Sequence, residues 1–349
     1  TVPGAAAAWN DLLERYGRLP RSEVLAPAIA AAADGFPVAP ATARWWAAGA
    51  ERQLRHHEHG HELMVAGVDG YRAPRAGELF GNPSLAAVLQ SFAADGAHPF
   101  YHGWIAERIV EVLAAEGGLL TLDDLAEHRS EPVTPLSLAF AGSDRTAYRI
   151  WECPPNGHGL AALIALGIYE RALEHLTDHS AAYEAVRLHL QVEAMRLAFA
   201  DTERYLADPA AMEIAPDAFL ADEYLSQRAA RIDPRQRLEL ARPGTPAASS
   251  GTDTVYFAVR DRWGNGCSFI NSNFMGFGTG IVPRGCGFSL QNRGRGFVLD
   301  PDHPNVVAGG KRPYHTIIPG LITRGDASCP ELHAVFGVMG GMMQPQGHL

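Results

Sequence analysis

One change of character along the chain constrains the fold more than any other feature. Up to about residue 240, apolar residues recur mostly at helical spacing, as in "GAAAAWNDLLERYG" (4–17). The segment "LARPGTPAASSG" (240–251) is then small, polar and rich in proline and glycine, which is typical of an exposed linker. Two residues further on, "TVYFAV" (254–259) is β-branched and aromatic, which predicts a buried strand. We therefore expect a helical first part, a linker and a strand-rich second part, arranged as layers of sheet and helix.

Two local patterns define helices in the first part. Thr121 stands three residues before Asp124, the spacing of a capping box at a helix start. Between residues 183 and 209 the apolar residues fall on one helical face, and the pattern stops before Pro209. The members of this face are Val186, Leu190, Ala194, Leu197 and Ala198.

The junction between linker and strand contains a candidate nucleophile, because it places Thr254 at the first strand position. A threonine hydroxyl is a weak nucleophile unless a base lies beside it, and the threonine's own α-amine can be that base. The amine is free only if the preceding peptide bond is cut. Its pKa, near 7.7–8.0, then leaves an appreciable unprotonated fraction at neutral pH. The junction fits a self-cleaving precursor, and it fits an ordinary strand-initial threonine as well.

Composition narrows the classes of partner. The chain has 349 residues, of which 47% are hydrophobic, enough for one large domain or two ordinary ones. The formal charge of -10 would repel nucleic acid and anionic lipid, so neither is expected as a partner. No run of 18 apolar residues occurs, and we expect no transmembrane helix. The composition neither predicts nor excludes assembly into a homo-oligomer.

The cysteines and the two ends of the chain bear on its compartment and extent. Four scattered cysteines without a CxxC motif favour a reducing compartment, which predicts a cytoplasmic location. A periplasmic or secreted location stays open, because the natural N-terminus is not seen. The chain opens without methionine and stops shortly after an apolar strand-like run, so we expect the natural protein to extend at both ends.

A zinc-protease motif is present in "RHHEHGHEL" (55–63). His57, Glu58 and His61 match HExxH, in which two histidines one helical turn apart ligate zinc while the glutamate handles the proton. Gly60 falls inside that turn, and glycine costs roughly 1 kcal/mol in a helix relative to alanine. Four of the 15 histidines fall within residues 56–61, which raises the chance of an accidental match. We interpret the segment as a solvated loop or helix end and assign no metal.

Ten short blocks that follow one another along the chain, among them "TDTVYFAVRDRWGNG", "SNFMGFGTG" and "EAMRLAFADTERYLADP", carry a resemblance to one enzyme family. They resemble the gamma-glutamyltransferases or gamma-glutamyltranspeptidases, which are N-terminal-nucleophile hydrolases. The blocks similar to the family's small subunit are "TDTVYFAVRDRWGNG", "SNFMGFGTG", "GFSLQNRG", "GGKRPYHTIIPG" and "FGVMGGMMQPQGH". Those similar to its large subunit are "VPGAAAAWNDLLERYGRLP", "AIAAAADGFPV", "GGLLTLDDLAEH", "PPNGHG" and "EAMRLAFADTERYLADP". Each block alone is only modestly specific for the family. As an ordered set they are highly specific, and they span nearly the whole chain.

The resemblance implies a fold, a maturation step and a reaction. The fold would be α+β, a four-layer αββα sandwich. The precursor would cut itself between Asp253 and Thr254, giving a large-subunit region (1–253) that ends in the processing linker and a small-subunit region (254–349) that begins at the nucleophile. The two subunits would form one intertwined domain. The reaction would transfer a γ-glutamyl group to water or an amine without metal or cofactor.

The resemblance also implies residue roles. The family's spacing from the "GN" turn places the nucleophile at Thr254, whereas Thr252 would fall two residues early, in the linker. Ser272 falls where the family has a second hydroxyl that orients the nucleophile. Gly340 and Gly341 fall on the pair whose backbone N–H groups form the oxyanion hole, where the lack of a Cβ permits close approach.

The substrate-binding positions depart from the family pattern. "LQNRGRGF" (290–297) supplies Arg293 and Arg295 in a segment where typical members carry an aspartate for the donor's α-amino group. His315 and Thr316 stand where a serine pair holds the α-carboxylate. Asn273 lies near a position that contacts the amino group in some members. The family's substrate-clamping arginine would fall before residue 1.

These observations predict a threonine-nucleophile amidohydrolase that acts on γ-glutamyl amides such as glutathione. Arginine in place of an acid favours an anion over an ammonium, so a glutaryl-type cephalosporin acylase is one alternative. An unprocessed, non-catalytic member of the family is a second alternative, and the zinc protease is a remote third. The acyl acceptor and the balance between hydrolysis and transfer stay undetermined.

Overall fold

The computed structural model describes residues 1–142, 146–174, 176, 183–242, 255–325 and 330–349. It divides into two compact units. The first comprises Thr1–Pro132 and Asn273–Asn292, and the second comprises Val133–Ser272 and Arg293–Leu349. Both contain helices and sheets, in agreement with the predicted α+β class.

The first unit is mainly helical. Its elements are α1 (Ala5–Tyr16), α2 (Arg21–Asp34), β1 (Phe36–Pro37), α3 (Pro40–Arg52), β2 (Val65–Gly67), β3 (Gly70–Arg72), β4 (Leu79–Phe80), α4 (Pro83–Asp95), α5 (His98–Tyr101), α6 (Trp104–Ala115) and α7 (Leu122–Ala126). The strands form two short antiparallel pairs, β1 with β4 and β2 with β3. The predicted capping box at the start of α7 is confirmed, because Thr121 Oγ1 accepts from the Asp124 N–H while the Asp124 carboxylate accepts from the Thr121 N–H.

The second unit combines helices with a four-stranded sheet. Its elements are β5 (Leu136–Ala141), β6 (Ala147–Glu152), α8 (Gly159–Glu174), α9 (Tyr183–Tyr205), α10 (Asp222–Ala229), β7 (Val255–Arg260), β8 (Gly266–Asn271), β9 (Gly320–Arg324), β10 (Glu331–Phe336) and α11 (Gln344–His348). The antiparallel sheet has the order β10-β9-β6-β5, so strands from both halves of the sequence share it. Helix α8 packs on β5 and β6, and α9 packs on α8. The antiparallel pair β7–β8 packs against β10.

The core of the second unit lies between α8, α9 and the sheet. Leu160, Leu163 and Ile164 of α8 are buried, and so are four members of the predicted face on α9, namely Leu190, Ala194, Leu197 and Ala198. The remaining member, Val186, packs against this core. The predicted face of α9 is therefore confirmed. Within the described ranges, no helix has both the length and the apolar character needed to span a bilayer.

The expectation that residues 254–259 lie in a buried strand is wrong for the described part of β7. Val255, Phe257 and Val259 are 66%, 48% and 52% exposed. Successive side chains of a strand point to opposite faces, and β10 covers one face of this pair. Tyr256 lies on the covered face, where a Cβ on Gly337 would come within 2.5 Å of its ring.

Candidate active site

The β7–β8 ladder leads to the predicted nucleophile. Asp253 and Thr254 lie outside the described residues. Val255, the next residue, pairs with Asn271, and Ser272 directly follows Asn271. The Ser272 carbonyl oxygen accepts a hydrogen bond from Arg293 Nη2 at 3.3 Å. The structure thus brings Ser272 and Arg293 together at the end of the ladder that the predicted nucleophile would precede.

The predicted oxyanion glycines form a tight turn after β10. Gly340 has φ +135° and Gly341 has φ +58°, both in the region that favours glycine. Gly341 begins a 3-10 turn that runs to Met343, and the Met343 N–H donates to the Gly340 carbonyl at 3.2 Å. The strand before the turn is tied to β8, because Ser268 Oγ donates to the Phe336 carbonyl at 3.2 Å. A turn of this kind can present successive backbone N–H groups to an anion.

A loop before α8 is joined to the segment that carries His315 and Thr316. The His315 N–H donates to the Asn156 carbonyl, and the His158 N–H donates to the His315 carbonyl, each at 3.1 Å. His158 Nδ1 lies 3.0 Å from the Tyr314 hydroxyl. Gly157 permits this approach, since a Cβ there would lie 2.9 Å from the His315 ring.

His158 Nε2 and Thr316 Oγ1 are buried polar atoms of this region for which the described residues provide no hydrogen-bond partner. His158 is fully buried, and Thr316 is 2% exposed. An unsatisfied buried polar group costs about 1–3 kcal/mol, so such atoms are candidates for contact with a bound polar group.

The electrostatics of the region favour an anion. Burial lowers the pKa of the Arg293 guanidinium to about 10, which leaves it protonated at neutral pH. Burial, together with the positive charges of Arg293 and Arg312, lowers the pKa of His315 to about 3. Burial also lowers the pKa of His158, and the positive charges of His315, His348 and Arg293 act in the same direction. The region therefore holds a partly buried cation beside two neutral imidazoles, whereas Arg295 is exposed.

The low pKa of His315 predicts a pH dependence of stability. The unfolded chain binds a proton at His315 below pH 6.5 and the folded chain does not, so the contribution of His315 is present above pH 6.5 and is lost as the pH falls toward 3. Between pH 7 and pH 5 this loss is at most about 2 kcal/mol, because pH 5 lies only about 1.5 units below the unfolded pKa and each unit is worth about 1.4 kcal/mol. Urea unfolding at both pH values should show a smaller loss for His315→Gln than for the unsubstituted protein. Equal losses would contradict the assignment.

Asn273 belongs to the first unit. Its Nδ2 donates to Ser289 Oγ at 3.3 Å, and its carbonyl accepts from the Asn292 N–H at 3.1 Å. The next residue, Phe274, has φ +78°, which is uncommon for a side chain with a Cβ. Asn273 is therefore held firmly, and its role in substrate binding stays a prediction.

The segment with the HExxH motif does not form a zincin helix. It folds as two short 3-10 turns, Leu54–His56 and Gly60–Leu63, and His57 between them is extended. His57 Nδ1 lies 2.8 Å from the Glu116 carboxylate, and His61 Nδ1 lies 3.0 Å from the Glu58 carbonyl. The described residues contain no group of three or more histidine, cysteine, aspartate or glutamate side chains able to hold a metal. The zinc-protease interpretation is therefore unsupported, and the loop interpretation agrees with the structure.

A buried pair in the second unit, Glu152 and His348, was not predicted from the sequence. Glu152 Oε1 lies 2.6 Å from His348 Nδ1, and both side chains are fully buried. His348 closes one of the blocks that carry the family resemblance, and His158 lies in another. Membership of these blocks was the available signal, but it does not reveal a contact between residues 196 positions apart.

Comparison with solved structures defines the class of fold. A crystal structure of cephalosporin acylase from Bacillus halodurans matches with a TM-score of 0.87 and 42% sequence identity, covering 100% of this chain and 61% of that one. The α+β fold of the N-terminal-nucleophile hydrolases is thereby confirmed.

Comparison of sequences then gives the family. The profile described as Gamma-glutamyltranspeptidase matches residues 1–349, and the chain belongs to the gamma-glutamyltranspeptidase family. The "Glutathione hydrolase-like YwrD proenzyme" of Bacillus subtilis is 35% identical over 353 residues, and the "Oxamate amidohydrolase proenzyme" of Klebsiella pneumoniae is 36% identical over 352 residues. Each match covers 99% of this chain and 62% of the relative, so the chain spans about three fifths of the relatives' length.

Proposed function

We propose that the protein is an autoprocessing amidohydrolase whose nucleophile is Thr254. The observation that carries the proposal is the convergence of Ser272 and Arg293 at the end of the β7–β8 ladder, which begins one residue after Thr254. Family membership supports it, since both named relatives are called proenzymes.

In the proposed reaction, Thr254 Oγ attacks the carbonyl carbon of the substrate amide while the Thr254 α-amine takes the hydroxyl proton. The backbone N–H groups of Gly340 and Gly341 stabilise the oxyanion that forms. The C–N bond then breaks, and the α-ammonium returns the proton to the leaving amine. Water or a second amine attacks the resulting ester and releases Thr254. Ser272 orients the nucleophile by hydrogen bonding.

The preferred acyl group carries a free carboxylate and no ammonium. Arg293 is a partly buried cation, and the other titratable groups discussed beside it, His158 and His315, favour their neutral forms. Burying an ammonium beside these groups without an acidic partner would cost several kcal/mol. A carboxylate would instead gain a charge-assisted hydrogen bond.

Three acyl groups are candidates. Glutaryl amides fit the charges, and the structural neighbour named a cephalosporin acylase favours this class. Oxamate, in which a carboxylate adjoins the amide, fits the same charges and is named for one relative. γ-Glutamyl amides such as glutathione are favoured by the name of the other relative, but their ammonium needs an acid that Arg293 does not supply.

Exchanging the charge at Arg293 tests the acyl preference. We expect the unsubstituted protein to hydrolyse glutaryl p-nitroanilide with a kcat/KM at least comparable to that for γ-glutamyl p-nitroanilide. Arg293→Asp should lower kcat/KM for the glutaryl substrate by about 10- to 100-fold, because the carboxylate loses a charged partner, and should shift the preference toward the γ-glutamyl substrate. The matched control is Arg295→Asp, since Arg295 is exposed. A strong γ-glutamyl preference that Arg293→Asp leaves unchanged would contradict the proposed pocket.

The alternative of an unprocessed, non-catalytic family member makes an opposite prediction. A denaturing gel of the purified protein should show two fragments if the precursor matures. One intact band, with no hydrolysis of any of the three classes of amide, would favour the non-catalytic alternative.

A further inference from the structure

The buried pair Glu152–His348 joins two elements that lie far apart in sequence. Glu152 is the last residue of β6, and His348 is the last residue of α11. Glu152 Oε1 lies 2.6 Å from His348 Nδ1, and both side chains have 0% exposure. The ring of Phe336, at the end of β10, meets the His348 imidazole edge to face at 4.7 Å between centroids.

The same short helix carries the glycine turn. Helix α11 begins at Gln344, directly after the 3-10 turn Gly341–Met343. Gln344 is fully buried, and its Oε1 accepts a hydrogen bond from the Ile318 N–H at 3.4 Å. The turn is therefore held at its C-terminal side by two buried polar anchors, Gln344 and His348.

The carboxylate of Glu152 lies at the start of α8. A Cβ on Gly159, the first residue of that helix, would lie 2.8 Å from the Glu152 Cβ and 3.1 Å from its Oε2. The N-terminal end of a helix carries partial positive charge, which stabilises an anion there. Burial raises the pKa of the Glu152 carboxyl, while the hydrogen bond with His348 and its charge act in the opposite direction.

Burying a polar or charged pair carries a desolvation penalty that offsets much of the attraction between its members. Well-packed apolar residues of similar volume are often equally stabilising or better, and the best-attested use of a buried polar pair is to fix one arrangement of the chain. The element that the pair fixes is α11, and the feature attached to α11 is the turn with Gly340 and Gly341.

We propose that Glu152 and His348 are a positioning pair that holds the Gly340–Gly341 amides at the place where the oxyanion forms. This rests on the proposed function, in which those amides stabilise the tetrahedral intermediate. Such donors act only within hydrogen-bond distance of the oxyanion, so a shift of about 1 Å in the turn weakens binding of the transition state. Binding of the unreacted substrate changes little, because its carbonyl depends less on these donors.

The test uses three variants of the complete protein and one control. Glu152→Asp keeps the charge but withdraws the carboxylate by one methylene. The double variant Glu152→Leu/His348→Phe replaces the pair with apolar side chains. Glu152→Gln keeps an oxygen that can accept from His348. Glu170→Gln is the control, since Glu170 is a partly buried glutamate of α8 that accepts from the Ala141 N–H. All rates are measured on the fraction whose new N-terminus is Thr254.

We expect kcat for glutaryl p-nitroanilide to fall about 10- to 100-fold in Glu152→Asp and in the double variant, with KM changed less than about threefold. Affinity for a glutaryl boronate, which mimics the tetrahedral intermediate, should fall in parallel, and affinity for glutarate should not. Glu152→Gln should retain kcat within about fivefold, and Glu170→Gln should change neither constant. If the double variant fails to fold, Glu152→Asp decides the question alone.

Two failures are distinguishable. If the unsubstituted protein neither cleaves itself nor hydrolyses the substrate, the proposed function is wrong and the positioning role falls with it. If the unsubstituted protein is active and folded Glu152→Asp has unchanged kcat, the positioning role alone is wrong. A melting temperature that falls while kcat holds would show a purely structural pair.

Discussion

We expect Thr254→Ala to leave the precursor as one intact band on a denaturing gel, whereas Thr252→Ala should be cleaved nearly to completion. Alanine lacks the hydroxyl that attacks the preceding carbonyl, so the bond between Asp253 and Thr254 survives and no α-amine is released. Hydrolysis of glutaryl p-nitroanilide should fall to background, because nucleophile and base are lost together. Thr252 is also a threonine and lies only two residues away, in the linker, which makes it the matched control.

The reverse result would contradict the assigned position. Cleavage that persists in Thr254→Ala and stops in Thr252→Ala would move the nucleophile two residues toward the N-terminus. In that case Val255 would no longer be the residue after the nucleophile. The position of Ser272 at the end of the β7–β8 ladder would then no longer support its role in orienting the nucleophile.

Gly341→Val should lower kcat by roughly 100- to 1000-fold, the usual cost of removing one oxyanion donor. Gly341 has φ +58°, which a β-branched residue tolerates poorly, so the backbone must rotate and its N–H turns away. KM should change little, since the donor acts on the tetrahedral intermediate. The measurement is steady-state kinetics on cleaved protein whose melting temperature has been recorded.

Gly309→Val is the control for this substitution. Gly309 lies in the same unit, and a Cβ there would have no heavy atom within 4 Å. The Gly309→Val variant should therefore keep the kcat of the unsubstituted protein. Folded Gly341→Val with full kcat would remove Gly341 from the oxyanion hole.

The sequence allowed the helices to be predicted better than the sheets, for a physical reason. Helical periodicity and capping are local, so the face of α9 and the capping box of Thr121 with Asp124 were both predictable. The hairpin β5–β6 was not predicted. Its sheet pairs β6 with β9, which lies more than 150 residues later, and such pairing leaves no local signature.

The wrong prediction of burial for β7 shows that amino-acid composition alone does not determine whether a strand is buried. Val255, Phe257 and Val259 have the composition of a buried strand, but burial depends on what packs on each face of the sheet. Similarly, His57 and His61 match a zinc motif by spacing, but the chain between them does not form the helical turn that the motif requires.

The candidate site was predictable only through the ordered blocks of the family resemblance. These blocks singled out Ser272, Gly340 and Arg293, and their roles stay predictions. The structure adds that Arg293 is partly buried and contacts the Ser272 carbonyl. It also adds Glu152 with His348, a contact between residues that no spacing rule relates.

The central claim is that the complete protein cuts itself before Thr254 and uses that residue as its nucleophile. Mass spectrometry of the purified, complete protein tests this claim most directly. We predict two fragments, the second of which begins at Thr254 and becomes heavier by one acyl group when the protein is trapped with a slow glutaryl ester. A single intact chain, or a second fragment that begins at another residue, would contradict it.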